Sequence, residues 1–254
     1  MTSLLCESGT VFMDGTFKVV PQLFTQLYTL HCFYKGQMFP MLDFEVAALR
    51  AIQHEFPLSG IKGCNFHYNQ CLWRKVQASG LVPYYSDPLV KRLIRSCSAL
   101  SLVPLDRMDD AWLAIDADSP PTDHPAYERV ETFKDYFIQT WLENPDVFPR
   151  SMWNHFGNFG ARTTNHVEAW HSALSRTVRK DHVNIFELIN FLKKQEDKGE
   201  ADRLLLRAGQ PPPKLSTKYK VLNDRLIRLT GELETGVKTL IEYIHSVGYN
   251  LNNN

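Results

Sequence analysis

The chain lacks an excess of charge of either sign: 28 Lys and Arg balance 28 Asp and Glu over 254 residues. A whole-molecule basic field, the cheapest sign of a nucleic-acid binder, is therefore missing, and only a local basic patch is left open. No apolar run approaches the roughly 18 residues of a membrane span. The first residues, from Met1 to Gly9, show no basic segment leading into an apolar one, so no signal peptide is expected. There is no Cys-x-x-Cys and no Asn-x-Ser/Thr sequon. The five cysteines, Cys6, Cys32, Cys64, Cys71 and Cys97, are odd in number, and reduced thiols inside a cell are expected. Repeats and low-complexity tracts are missing too; the nearest cases are Pro211-Pro212-Pro213 and Asn252-Asn253-Asn254.

What is present is an ordinary globular composition, 44% hydrophobic and 22% charged, enough to bury a core. The length suits one large domain or two small ones. Thr10 to Val20 has the β-formers of a strand, with Asp14-Gly15 set among them. Leu23 to Tyr34 reads as a second strand, Lys35-Gly36 as a hairpin turn and Gln37 to Leu42 as a third strand. Asp43 is placed to cap a helix from Glu45 to Phe56, whose apolar residues Val46, Leu49, Ile52 and Phe56 keep a helical period. A short strand is expected at Ile61–Phe66 and a helix at His67–Ser79, closed by Gly80.

Helical periodicity then dominates. Segments near Asp87–Leu100, Asp106–Ile115 and Tyr127–Leu142 are separated by proline-bearing loops, so residues 81–150 read as a helical insertion. Val183 to Leu206 is another helix, with a break expected near Gly199, and the three prolines stop it. Lys214 to Val247 reads as one amphipathic helix. Its Tyr219, Leu222, Leu226, Leu229, Leu233 and Leu240 form a seam that either joins two chains, as a homodimer through residues 219–240, or packs on the domain's own helices.

The chemically richest stretch is Arg162-Thr163-Thr164-Asn165-His166-Val167-Glu168-Ala169-Trp170-His171. Asn165 and Glu168 stand at the capping-box offset, which gives Glu168 a plain structural use. Asp14, Asp43 and Glu168 also form a pattern suited to hard divalent cations, Mg²⁺ or Mn²⁺. Two such ions about 4 Å apart can activate a water or a 3′-hydroxyl and stabilise the leaving oxygen of a phosphodiester. Cys64, His67 and Cys71 are three soft ligands without a fourth, so zinc is not expected. His155, His166 and His171 either contact phosphate or sit on a solvated surface. Trp153, Phe156, Phe159 and Trp170 are expected in a core rather than under bases. Arg162, Arg176, Arg179 and Lys180 form a local basic rim that could meet DNA.

Four blocks in order, Asp14-Gly15-Thr16-Phe17, Asp43-Phe44-Glu45, Gly63-Cys64-x-x-His67 and Arg162 to His171, resemble the transposase domain of Mutator-like elements (MULE). The resemblance runs from about Val11 to Arg176. It implies an α/β, RNase H-like mixed sheet with an Asp-Asp-Glu (DDE) triad: Asp14, Asp43 and Glu168 as catalytic and metal-binding residues. It implies that Cys64 and His67 lie near that site, with Asn165 and His171 beside Glu168. The implied reaction is Mg²⁺-dependent cleavage and transfer of DNA strands at element ends, in the nucleus. The domain would span residues 10–180, with a C-terminal helical region at 181–254.

The spacing departs from that family at one point. Gln37-Met38-Phe39-Pro40-Met41-Leu42 runs straight into Asp43, with no room for the dozen or more residues that a crossover to a parallel strand needs. Asp14 also stands close to the first residue, where such transposases carry a DNA-binding module. The sequence therefore suggests a truncated, internally deleted copy with an incomplete sheet and impaired catalysis. The alternatives are a non-catalytic DNA- or protein-binding module, or a decayed copy.

Overall fold

The computed structural model describes residues 11–16, 27–32, 62–159, 174–176, 184–211 and 217–251. By internal contacts the chain divides into two compact units, each built from two separate segments. One comprises Met1–Asp43 and Thr163–Leu215, the other Phe44–Arg162 and Ser216–Asn254.

In the first unit, β1 (Val11–Thr16) and β2 (Leu27–Cys32) pair antiparallel, with Asp14 opposite Thr29. The expected RNase H-like mixed sheet is overturned: the described residues are mostly helical, and their only sheet is this two-stranded ladder. The physical reason lies in the pattern. From Asn65 onward the apolar residues recur at helical spacing, and no described segment supplies a parallel strand with its crossover. The strand expected at 61–66 shrinks to an isolated bridge at Gly63. Cys64 is its last extended residue (φ −71°, ψ 126°), and the chain is helical from Asn65.

The helical unit begins with α1 (Asn65–Ala78). Gly80, at φ 67°, ends it: Gly80 donates to Gln77 O and Leu81 to Val76 O, the paired bonds of a glycine-terminated helix. Helix α2 (Pro88–Ala99) starts where sequence places it, because Asp87 Oδ1 accepts from Leu89 N (2.8 Å) and Val90 N (3.2 Å) while Pro88 needs no donor partner. Helices α3 (Met108–Ala117) and α4 (Tyr127–Phe137) follow, the latter running into a π-turn at Ile138–Leu142. Helix α5 is one turn, Arg150–Trp153.

Further along, α6 (Ile185–Arg207) belongs to the first unit. It is capped by Asn184 and continues unbroken through Gly199, where a break was expected. A glycine costs a helix only about 1 kcal/mol, too little to interrupt so long an element. The single C-terminal helix expected at 214–247 is instead two, α7 (Thr217–Glu234) and α8 (Leu240–Leu251). Gly236 at φ 73° turns the chain, and Thr239 and Glu242 form a capping box that restarts it.

The core of the helical unit is aromatic. Tyr68 and Trp153 stack at 5.2 Å, and Trp141 stands edge-on to Tyr68 at 4.9 Å. Tyr68 donates its hydroxyl to Cys97 O (2.7 Å) and Tyr243 donates to Leu102 O (2.6 Å), so neither buried phenol is left unpaired. Helix α8 packs on α2, α3 and α7. The seam residues Leu226, Leu229, Leu233 and Leu240 are buried in this same core. Among the described residues no helix is long and apolar enough to cross a membrane.

Candidate functional site

Of the residues singled out in sequence, Cys64 and His67 are described in full. They sit one turn apart at the start of α1. Cys64 is fully buried and His67 half-buried, with the Phe66 ring edge-on to it at 5.4 Å. Cys71, the third sulfur or imidazole ligand considered for zinc, lies partly buried against the aromatic core. Among the described residues no three His, Cys, Asp or Glu side chains converge as a metal site. Asp14 holds the middle of β1. Arg176 is exposed on a helical turn at 174–176. Asp43, Arg162, Asn165, Glu168, His171, Arg179 and Lys180 lie outside the described residues.

Around Cys64 the structure shows a buried polar hub that ties three distant stretches together. Gly63 N donates to Met152 O (2.8 Å), and the His155 Nε2 to Gly63 O distance is 2.7 Å. A carbonyl can only accept, so Nε2 carries the proton and Nδ1 faces the Asn158 amide at 3.4 Å. His155 N donates to Ser101 O (2.6 Å), and Asn65 Nδ2 donates to Ser101 Oγ (2.8 Å). Asn154 Nδ2 donates to Val103 O (2.7 Å), while its Oδ1 accepts from Phe156 N. Lys62 Nζ donates to Ser151 O (2.7 Å) and Asn154 O (2.9 Å), covering carbonyls at the end of α5. Burial lowers the Lys62 pKa from its ordinary value.

His155 therefore does not sit on the solvated surface or on phosphate, the two places considered for it. It is 1% exposed and serves as a backbone bridge. Trp153 is in the core, as its aromatic character suggested. The hub residues Ser101 and Asn154 carry no period or motif that marks them in sequence. The one available signal is that Asn154-His155 follows a core tryptophan directly, where burial demands that polar groups be paired.

Chemically the hub positions backbone rather than reacting. Its polar groups are spent on main-chain carbonyls and on one another. The nearby Cys97 thiol is fully buried, and burial pushes its pKa far up, which keeps it an inert thiol. The hub does fix geometry: it holds the Gly63-Cys64-x-x-His67 element against the segment that leads into Arg162–His171. Compared with family models, curated proteins and solved structures, the chain finds no match.

Proposed function

We propose that the chain is a transposase-derived domain of the Mutator-like kind that acts on DNA in the nucleus. Its inherited reaction is cleavage and transfer of DNA strands, with Asp14, Asp43 and Glu168 as the carboxylates assigned to Mg²⁺ or Mn²⁺. Such ions would activate the attacking oxygen and stabilise the leaving one. In this copy the short path from Asp14 to Asp43 removes the crossover that would set the two carboxylates side by side. Strand cleavage by this copy is accordingly impaired.

The observation that carries this reading is the hub. Two blocks of the resemblance are separated in sequence by the helical stretch, and Gly63 bonds to both Met152 and His155 at its far end. A helical body that departs from and returns to one point is what an insertion between two motif blocks requires. The test is a nicking assay on duplex DNA with Mg²⁺ or Mn²⁺, run beside Asp14→Ala and Glu168→Ala. Duplex binding without nicking above the variants supports the proposal. Robust nicking abolished in both variants restores a working enzyme, and failure to bind duplex DNA sinks the DNA reading altogether.

A further inference from the structure

Helices α7 and α8 fold back on each other across the Gly236 turn, and Arg225 Nη1 reaches Asn250 Oδ1 at 3.3 Å. Between them lies a cleft of about 390 Å³, at the small end of ligand pockets. Its walls carry Arg228, Lys238, His245, Ser246, Tyr249 and Asn250, over a floor of buried Leu229. Three basic side chains and no acidic one line it, in a chain whose charges balance.

Three acids lie near the cleft, Glu232, Asp118 and Glu242, the last of which feels the charge of Lys238. Glu232 pairs with Arg228 and lies 3.8 Å from Lys238, so one carboxylate serves two cations. Asp118 takes Arg92 at 2.6 Å and His245 at 3.1 Å. Arg95 adds a further guanidinium, 5.8 Å from the centre of the Tyr249 ring. Arg92, Arg95, Arg228 and Lys238 thus outnumber Glu232, Asp118 and Glu242 by one.

The donors also divide by availability. Ser246 Oγ donates to Glu242 O and Asn250 Nδ2 donates to Ser246 O, so both are committed to the helix. Arg228 and Lys238 share the Glu232 carboxylate, which leaves most of their N–H donors unspent, and the 61% exposed Tyr249 lines the cleft with them. A tetrahedral anion with several acceptor oxygens fits that arrangement, and charge-assisted bonds from Arg and Lys are the strong ones.

We infer that this cleft is a phosphate-binding site. The source of the phosphate is the DNA backbone, which rests on the function proposed above; the chemistry of the site does not. The test uses the intact chain with inorganic phosphate and, separately, a duplex oligonucleotide. Phosphate at matched ionic strength should raise the melting temperature relative to chloride, and Arg228→Gln and Lys238→Gln should each abolish the shift. Arg228 is 62% exposed, so its replacement leaves the core intact. Each variant should also weaken duplex binding several-fold and reduce its salt slope by about one. No phosphate shift, or an equal shift in both variants, overturns the site. A phosphate shift lost in the variants with duplex affinity unchanged upholds the site and overturns the backbone as its source. Duplex binding by the unaltered chain is scored on its own, so failure of the cleft and failure of the DNA reading remain distinct.

Discussion

The imidazole of His155 lies 2.7 Å from the carbonyl of Gly63, joining residues 92 positions apart in sequence. The bond fastens the start of the first helix to the loop that follows α5. His155→Phe keeps much of the volume and leaves a buried carbonyl without its donor, which costs on the order of 1–3 kcal/mol. Urea unfolding should show that loss, and His155→Gln, which can still donate, should recover part of it. Equal stability of the Phe variant and the unaltered chain would show that the bridge holds nothing.

Helix α8 approaches α2 backbone to backbone at Gly248. A Cβ there would stand 2.8 Å from Arg95 O, a contact that forces the helices apart. Gly248→Ala should therefore destabilise by about 1–3 kcal/mol, the usual range for overpacking. Gly231, in α7, offers the opposite sign. Nothing lies within 4 Å of its missing Cβ, so Gly231→Ala should stabilise by up to about 1 kcal/mol through helix propensity. Thermal unfolding of the two alanine variants tests both directions at once.

Along α7 the same logic separates faces. Leu229 is 2% exposed and Ile227 48%. Leu229→Ala should cost about 2–5 kcal/mol, and Ile227→Ala should change stability by less than about 0.5 kcal/mol. If the leucines act within one chain, as their place in the core suggests, the melting temperature of each variant will not vary with protein concentration.

Acid should weaken the start of α2. The carboxylate of Asp87 is held below its ordinary pKa, first by the Val90 N–H, then by that of Leu89 and by His124. A lowered folded-state pKa means that the stabilisation is present above the unfolded value near 3.8 and is lost as pH falls through the folded value. Asp87→Asn keeps the acceptor and removes the charge. Its melting temperature should fall below that of the unaltered chain at neutral pH and converge with it in strong acid. A constant gap at all pH values would assign the effect to shape rather than charge.

Local signals in the sequence served the helices well. Asp87-Pro88 announces α2, Gly80 ends α1 and the prolines flanking the middle helices separate them, because capping and φ constraints act within a few residues. The failures are those where a local signal was outweighed. Gly199 does not break α6, and the leucine period runs through Gly236 although the chain turns there. Around Cys64 the run Ile61–Phe66 suggested a short strand, yet the bond from Gly63 N to Met152 O is settled 89 residues away and the bridge spans a single residue. The mixed sheet was an inference from motif resemblance, and the pairing partners it needs are not supplied by the described residues. The polar hub was illegible for a related cause: Ser101 and Asn154 acquire meaning only when folding brings their loops together.

Because each compact unit is assembled from two segments that alternate along the chain, synthesis and folding are out of step. Helices α1 to α5 emerge first, but Tyr243, Ile244 and Val247, which close their core, are made well after them. A chain released before α8 leaves α2 without its cover and Leu102 O without its phenol. The helical unit thus completes only once α8 has been made, and until then its apolar face is exposed to whatever else is near the ribosome.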